Sequence, residues 1–499
     1  MIDTDETSYK QIAKSTSIFG GSQLANILLG IVRTKVLAVL LGTTGVGLNG
    51  MFQSIADLMR SLTGLGLSFS SVKEIAEAKQ SEDNERIGHT VTMLYRWLWG
   101  TGVAGMILTI GLSPWISEYV FGDREHLLSI CLISFSVLAG TVSSGQLALM
   151  QGMRKIGSMA KSSLYGAIGG LITAVPIYWI FGLKGIVPAL LTISFIGLFF
   201  TWLQARKISI EKVVQTYRET MQRGGGMVKL GLYTVVSGLV STLTLFLIRS
   251  FILQSDGVGH VGLFSAVWSV SNMYMGGIMA SMAADYFPRL CSLNGDDPKT
   301  VRFTNEQTRF VLIVATPLIV LMLLVAPPIL NLLYSNGFNA ASTLLRWQIL
   351  GTFLKVIIWP LGFILLSKGR GARFLIVECT WFIVFYVATR LLWPHYGLDA
   401  AGIAYVIAYI IYMPLVYLMV QPLCGFHLGI RNKVLITLYT VFVVGTFFAT
   451  LELDGTKLRV IGAILFFVCT VWSAFELNKI IPFAQWSDKF AKLFKFLRK

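Results

Sequence analysis

The chain has 499 residues, 55% of them hydrophobic and only 13% charged, with a mean hydropathy of +0.69 and a formal net charge of +16. Water-soluble proteins carry roughly 25% charged residues, so this composition excludes a soluble fold and points to a membrane. The five cysteines (Cys131, Cys291, Cys379, Cys424 and Cys469) show no CxxC spacing and fall mostly in apolar segments, which excludes a disulfide or metal framework.

The chain opens with the polar, acidic MIDTDETSYKQ, which leads straight into an apolar run and does not resemble a cleavable signal peptide. Apolar runs of about 20 residues then recur to the end, the length that crosses a bilayer as a helix. Fourteen spans are expected, at 17–41, 47–70, 91–112, 127–150, 162–181, 186–205, 230–253, 261–284, 310–326, 342–366, 374–392, 399–420, 434–450 and 458–477. Twenty-nine lysines and arginines fall in the loops and tails on the N-terminal side, against three (Arg124, Lys184 and Lys457) on the other. This bias places both termini in the cytoplasm. The basic excess is therefore topological and does not mark a nucleic-acid partner.

Span 1 carries Arg33 and Lys35 inside its apolar run. Arg33 lies about 13 Å below the outer end at Gly42. The two side chains point in nearly opposite directions, so both cannot face one cavity. Span 2 opens with GVGLNGMF, whose Gly45, Gly47 and Gly50 have dinucleotide-fingerprint spacing. That fingerprint needs a preceding strand and a cytosolic βαβ unit; here it follows a membrane helix, and a tight turn with close helix approach is the better account. Asn49, Gln53, Asp57, Arg60 and Gly64 follow at spacings that share one helical face. A charge at mid-span costs roughly 2.5–3.5 kcal/mol on insertion scales, so this face should meet protein or water. Pairing of Asp57 with Arg60 in helix packing is the simpler alternative.

The glycine pattern returns 212 residues later as GVGHVGLF in span 8, and FGLKGIVPALL from Phe181 resembles YGLDAAGIAYV from Tyr396 at an offset of 215. Two nearly equal offsets indicate a duplication of six spans. An even number of spans gives both copies the same direction, with an axis along the membrane normal. The offset of 212 maps the polar stripe onto Val261, Ser265, Ser269, Asn272 and Gly276, so Ser265, Ser269 and Asn272 are expected to line a cavity with Asn49, Gln53 and Asp57. The basic connector ending in Gly224–Gly226 is either a hinge or an ordinary exposed link.

Span 7 contributes Arg249 and span 10 Lys355, with Glu378 of span 11 as a candidate ion-pair or coupling partner. Arg96, Arg346, Arg390 and Arg459 lie near span ends, where snorkelling explains them. Nine cations against four acids within the spans, two of the acids (Asp399 and Glu476) at span ends, suits an anionic, phosphate-bearing ligand. The expected organisation is an all-α polytopic membrane protein with an N-lobe (1–205), a linker (206–229), a C-lobe (230–420), a terminal helix pair (421–477) and a basic amphipathic tail (478–499) suited to an anionic membrane surface.

The segments KVLAVLLGTTGVGLNGMFQSI, ALMQGMRK, DYFPRL and RWQILGTFLKVIIWPLGFILLSKGRGARFLIVE, with YGLDAAGIAYV after them, resemble the polysaccharide flippases of the multidrug/oligosaccharidyl-lipid/polysaccharide superfamily. The similarity is greatest to O-antigen translocases, including the lipid III flippase branch, and covers spans 1 to 12. It implies two six-helix lobes in a V, in the manner of drug exporters. It also implies alternating-access transfer of a polyprenyl-pyrophosphate-linked oligosaccharide from the cytoplasmic to the outer leaflet of a bacterial inner membrane. Cavity cations would hold the pyrophosphate: Lys35 and Lys355 lie within the matching motifs, while Arg33, Arg60 and Arg249 rest on the residue argument. A counter-ion (H+ or Na+) or the membrane potential would supply energy, and a polysaccharide polymerase complex is a further partner. No cofactor is expected. The competing readings are a drug or cation antiporter, disfavoured by the cationic interior, and a membrane scaffold for glycan assembly. No nucleophile elbow, HExxH or P-loop supports an enzyme.

Overall fold

A computed structural model describes residues 3–80, 84–210, 213, 216–293, 295–453 and 455–480. The basic tail beyond 480 lies outside the described residues. All regular structure described is helical, as a bilayer requires of any spanning segment that is not a closed barrel. The helices are α1 (Asp3–Thr63), α2 (Leu67–Gln80), α3 (Asn84–Phe121), α4 (Leu127–Gly152), α5 (Ile156–Phe181), α6 (Ile186–Ala205), α7 (Tyr217–Asp256) and α8 (Val258–Ser292). They continue as α9 (Asp297–Leu324), α10 (Ala326–Leu333), α11 (Ser342–Ser367), α12 (Gly371–Tyr396), α13 (Asp399–Cys424), α14 (Ile430–Glu452) and α15 (Gly455–Asn478).

Among the described residues, eleven segments are long and apolar enough to cross a membrane. Two of them, Gly21–Thr63 and Ile156–Ala205, contain internal breaks, at Gly42 and at the 3-10 turn Gly182–Gly185. Each therefore accounts for two of the expected spans, and α8 occupies the place of the eighth. The chain is a multi-pass membrane protein. Many buried hydroxyls along the spans donate back into their own helices, as Thr109 does to the Gly105 carbonyl at 2.6 Å and Thr316 to Leu312 at 2.7 Å, so these are satisfied without a second helix.

Span 2 ends seven residues earlier than expected. The Gly64 N–H closes on the Arg60 carbonyl at 2.8 Å, Leu65 and Gly66 take φ of 47° and 64°, and the chain leaves as α2. The two glycines around Leu65 allow this left-handed exit, which an apolar-run reading passes over.

The duplication is visible in the helix limits. Helix α4 (Leu127–Gly152) reappears as α11 (Ser342–Ser367) and α5 (Ile156–Phe181) as α12 (Gly371–Tyr396), each shifted by 215 residues. The breaks follow the same shift: Gly42 and Gly257 have φ of 63° and 83°, Gly182 and Gly397 have 57° and 52°, and Arg154 and Gly369 have 54° and 68°. The true register is thus 215, and the GVG match at 212 is displaced by three residues, about one helical turn. In the corrected register Asp57 corresponds to Asn272, Gln53 to Trp268, Gly50 to Ser265 and Gly47 to Gly262.

By packing, the chain forms two units. One comprises Met1–Ala266 with Asn331–Phe338, the other Val267–Leu330 with Asn339–Lys499. The division falls inside α8, so α7 and the first turns of α8 pack with the first unit. Within that unit α1 and α8 cross at their glycines. A Cβ on Gly47 would overlap the Val258 carbonyl oxygen, and one on Gly262 would overlap the Thr43 carbonyl oxygen. These glycines allow helix backbones to touch, as small residues do in membrane interfaces, and bind no nucleotide phosphate.

Candidate functional site

The polar face of α1 assembles as its spacing predicts. Asp57 accepts from Arg60 Nη2 through Oδ1, and from Gln53 Nε2 through the same oxygen at 3.2 Å. Arg60 Nε also points back to the Ala56 carbonyl at 3.4 Å. Both charged side chains stay partly open, at 33% exposure for Arg60 and 43% for Asp57. The ion pair is therefore screened on one side and accessible to a ligand, unlike a buried pair whose desolvation must be met by the protein alone.

This pair borders a cavity of about 470 Å³ built from α1, α3, α4 and α7 of the first unit. Gly140, Thr141 and Ser144 of α4 and Gly238 and Thr242 of α7 form its small, polar walls. Gly140 makes room for the guanidinium: a Cβ there would stand 2.7 Å from Arg60 Nη1 and 3.0 Å from its Cδ. The composition supplies one positive fork, one carboxylate and several hydroxyls, which can hold an oxyanion and hydrogen-bond polar groups attached to it.

Arg249 of α7 joins the same region from behind α1. Its Nη1 donates to the Ser54 hydroxyl and to the Gly50 carbonyl at 3.4 Å, and its charge interacts with Asp57. Its Nε is buried and has no acceptor among the described residues. Ser265 lies at the same crossing, buried against Gly50, and Asn49 is partly buried.

The remaining sequence candidates lie elsewhere. Lys35 donates to the Asn331 carbonyl at 2.7 Å, near the C-terminal end of α10, where the helix dipole favours a cation. Arg33 interacts electrostatically with Tyr178 of α5. Neither Arg33 nor Lys35 lines the Arg60 cavity. Ser269 and Asn272 belong to the second unit and are exposed; Asn272 donates to the Trp268 carbonyl at 2.8 Å.

In the second unit Lys355 and Glu378 interact electrostatically, and Glu378 accepts from the Tyr412 hydroxyl at 2.8 Å. The corrected register gives Lys355 a further meaning, because its counterpart in the first unit is Gly140, while the counterpart of Arg60 is Met275. Each repeat therefore carries one cation at this pair of positions, contributed by opposite members of the helix pair. Gly140, Ser144, Thr242 and Asn331 escaped sequence reasoning. Small residues and a backbone carbonyl carry no charge pattern, although the small-polar run GTVSSGQ in α4 was a signal.

A family model described as "Polysaccharide biosynthesis protein" matches residues 36–343, more than half of the chain. The chain belongs to the polysaccharide biosynthesis protein family. The chain is similar to the lipid III flippase of Escherichia coli (strain K12), 24% identical over 412 residues that cover 81% of this chain and 97% of that protein. Stage V sporulation protein B of Bacillus subtilis (strain 168) is similar over 267 residues at 24% identity, covering 51% of each. Among solved structures, the lipid II flippase MurJ in an inward closed conformation matches with a TM-score of 0.69 at 14% identity, over 93% of this chain and 99% of that one. An inward-facing multidrug-resistance MATE family transporter of the MOP superfamily gives 0.67 at 14% identity, over 83% and 96%. These likenesses establish the fold of this polysaccharide biosynthesis protein as that of the MOP superfamily.

Proposed function

We propose that this protein is a bacterial flippase for lipid-linked oligosaccharides, a transporter with no covalent chemistry to perform. In this reading it transfers a polyprenyl-pyrophosphate-linked repeat unit, O-antigen-like, from the cytoplasmic to the outer leaflet of the inner membrane. The observation that carries the reading is one intramembrane cation in each repeat's copy of the same residue pair, Arg60 in the pair 60/140, where it lies against Gly140, and Lys355 in the pair 275/355. Arg60 opens on a hydroxyl-lined cavity, and Asp57 holds it in place without enclosing it. A pyrophosphate and a glycan cannot enter hydrocarbon unaided, whereas the isoprenoid chain needs no protein cover. Arg60, and Lys355 within its own unit, would each exchange water for phosphate oxygens as access alternates between the two membrane faces, and Arg249 would add positive potential beside Arg60.

Lys35 has a carbonyl partner, and we assign it to fixing α10 rather than to the substrate. Glu378, between Tyr412 and Lys355, is the carboxylate we assign to coupling with a counter-ion. The relatives named lipid III flippase and lipid II flippase support the substrate class, and the cationic interior opposes export of cationic drugs.

The test is leaflet transfer of a polyprenyl-pyrophosphate oligosaccharide in proteoliposomes, with Arg60→Gln, Lys355→Gln and Lys35→Met beside the unmodified protein. Transfer reduced at least about tenfold by each of the first two supports the assignment, since a charge-assisted hydrogen bond contributes about 1.5–3 kcal/mol. Transfer indifferent to both removes them from the substrate site. Absence of transfer by the unmodified protein, while a control flippase works alongside, replaces the reading with a scaffold role.

A further inference from the structure

The terminal pair α14 and α15 has no counterpart in the duplication, and where it meets α9 of the same unit it creates a site. Helix α9, the connector 424–430 and the start of α14 enclose a cleft of about 570 Å³. Asn305 of α9 holds its shape. Its Nδ2 donates to the His427 carbonyl at 3.0 Å, and its Oδ1 accepts from the Gly429 N–H and from Asn432 Nδ2, both at 2.9 Å.

Beside the cleft, the Glu476 carboxylate of α15 is 5% exposed and takes Arg309 at 2.9 Å, Arg431 at 3.2 Å and Lys479 at 2.5 Å. One carboxylate thus serves three cations. The other charges at the rim are already balanced, Arg302 by Glu306 at 2.9 Å and Lys368 by Asp297 at 2.6 Å. Two positive charges remain in excess, and the buried Arg309 Nε has no acceptor among the described residues. Arg431 lines the cleft and is half exposed, so it can turn toward a ligand while Arg309 and Lys479 keep Glu476 paired.

The position selects the ligand. Ile430, Val434 and Val441 on α14 are 77%, 59% and 65% exposed, which is tolerable only where lipid covers them. The cationic cleft therefore sits at the edge of the hydrocarbon on the side where α9 and α14 begin, cytoplasmic by the charge bias. We infer that this cleft binds the phosphodiester headgroup of an anionic phospholipid, with the acyl chains lying along the exposed flank of α14. Phosphodiester oxygens suit arginine forks, and inner-leaflet anionic lipids are drawn to such clusters. The site is separate from the Arg60 cavity and does not depend on what that cavity transports.

The experiment uses the full chain in phosphatidylcholine nanodiscs doped with phosphatidylglycerol, with retained lipid counted by native mass spectrometry. Arg431→Gln and Arg302→Gln are compared with Lys161→Gln, an exposed cation of the first unit, and thermal unfolding verifies that each variant is folded. The expected result is retention of phosphatidylglycerol over phosphatidylcholine, weakened about tenfold by Arg431→Gln, less by Arg302→Gln and not by Lys161→Gln. Water-soluble glycerophosphoglycerol should fail to displace the lipid at matching concentration. Equal losses in all three variants, or no loss in any, would overturn the proposal by reducing it to general surface charge. Displacement by glycerophosphoglycerol would reassign the cleft to a free phosphate compound, and displacement by an acidic peptide alone to a protein partner.

Discussion

Arg60 occupies its place because residue 140 has no side chain. Adding one methyl there meets the guanidinium at 2.7 Å, and the far end of a long side chain moves cheaply. Gly140→Ala should therefore leave thermal stability within about 1 kcal/mol while lowering leaflet transfer, and Gly140→Leu should abolish transfer with the protein still folded; circular dichroism and the proteoliposome assay separate the two effects. A second residue-scale expectation concerns Asp296, which caps α9 by accepting the Lys299 N–H at 3.0 Å. Lys299 holds this carboxyl below its ordinary range through side-chain and backbone hydrogen bonds. A lowered folded pKa means that the cap is fully present above the unfolded value near 4 and is lost as pH falls through the folded one. Hydrogen exchange in the first turn of α9 should accelerate only on that acid side, and Asp296→Ala should show the fast exchange at neutral pH. Partners are what single residues conceal. The stripe Gln53–Asp57–Arg60 was legible because its members are one turn apart, whereas the Ser54 and Gly50 acceptors of Arg249 are nearly two hundred residues away in sequence. The acceptor of Lys35 is a backbone carbonyl, which any residue type supplies.

At the scale of elements, hydrocarbon length fixed the spans and left their punctuation open. The apolar runs of α4 and α11 were readable to within two residues, and those of α5 and α12 to within six, because a bilayer dictates both length and polarity. The breaks were harder. Gly42 and Gly257 turn the chain with left-handed φ, yet the eye is drawn to the neighbouring GVG pairs, whose glycines match at a false offset one helical turn away. That slip kept the stripe on nearly the same face but paired Asp57 with Ser269 instead of Asn272. The crossing of α1 and α8 carries its own prediction. A side chain at Gly47 or Gly262 meets backbone rather than a movable neighbour, so Gly262→Val should cost 3 kcal/mol or more, on the order of severe overpacking. Gly276→Val, where open space surrounds the position, should cost little; the difference would be read from unfolding temperatures in detergent.

For the whole molecule, class, repeat and the direction of both copies followed from composition and an even span count. The family match covers residues 36–343 and so ends in the first turn of α11, before Lys355, Glu378 and the terminal pair. That pair is fastened through Glu476, and its burial at 5% exposure with three cations makes it an expensive residue to neutralise. Glu476→Gln leaves the largely buried Arg309 facing an amide, and breaking one partner of a buried pair costs about 3–5 kcal/mol. Limited proteolysis should then cut the 424–430 connector in the variant and spare it in the parent protein. Had the pair been held by apolar packing alone, the substitution would leave cleavage unchanged.

The crossing of α1 and α8 also has a geometry of its own. In the register of 215, Gly47 touches its own counterpart Gly262, Gly50 touches its counterpart Ser265, and the approach of Gly47 to Val258 is mirrored by that of Gly262 to Thr43. Each residue meets its own copy, which is the mark of an isologous contact about a two-fold axis. A half-length chain would carry both sides of this surface at once, so two such chains could associate there as a homodimer. One covalent link between them would turn that dimer contact into the crossing found here, and only then would Arg60 be free to differ from Met275, and Gly140 from Lys355.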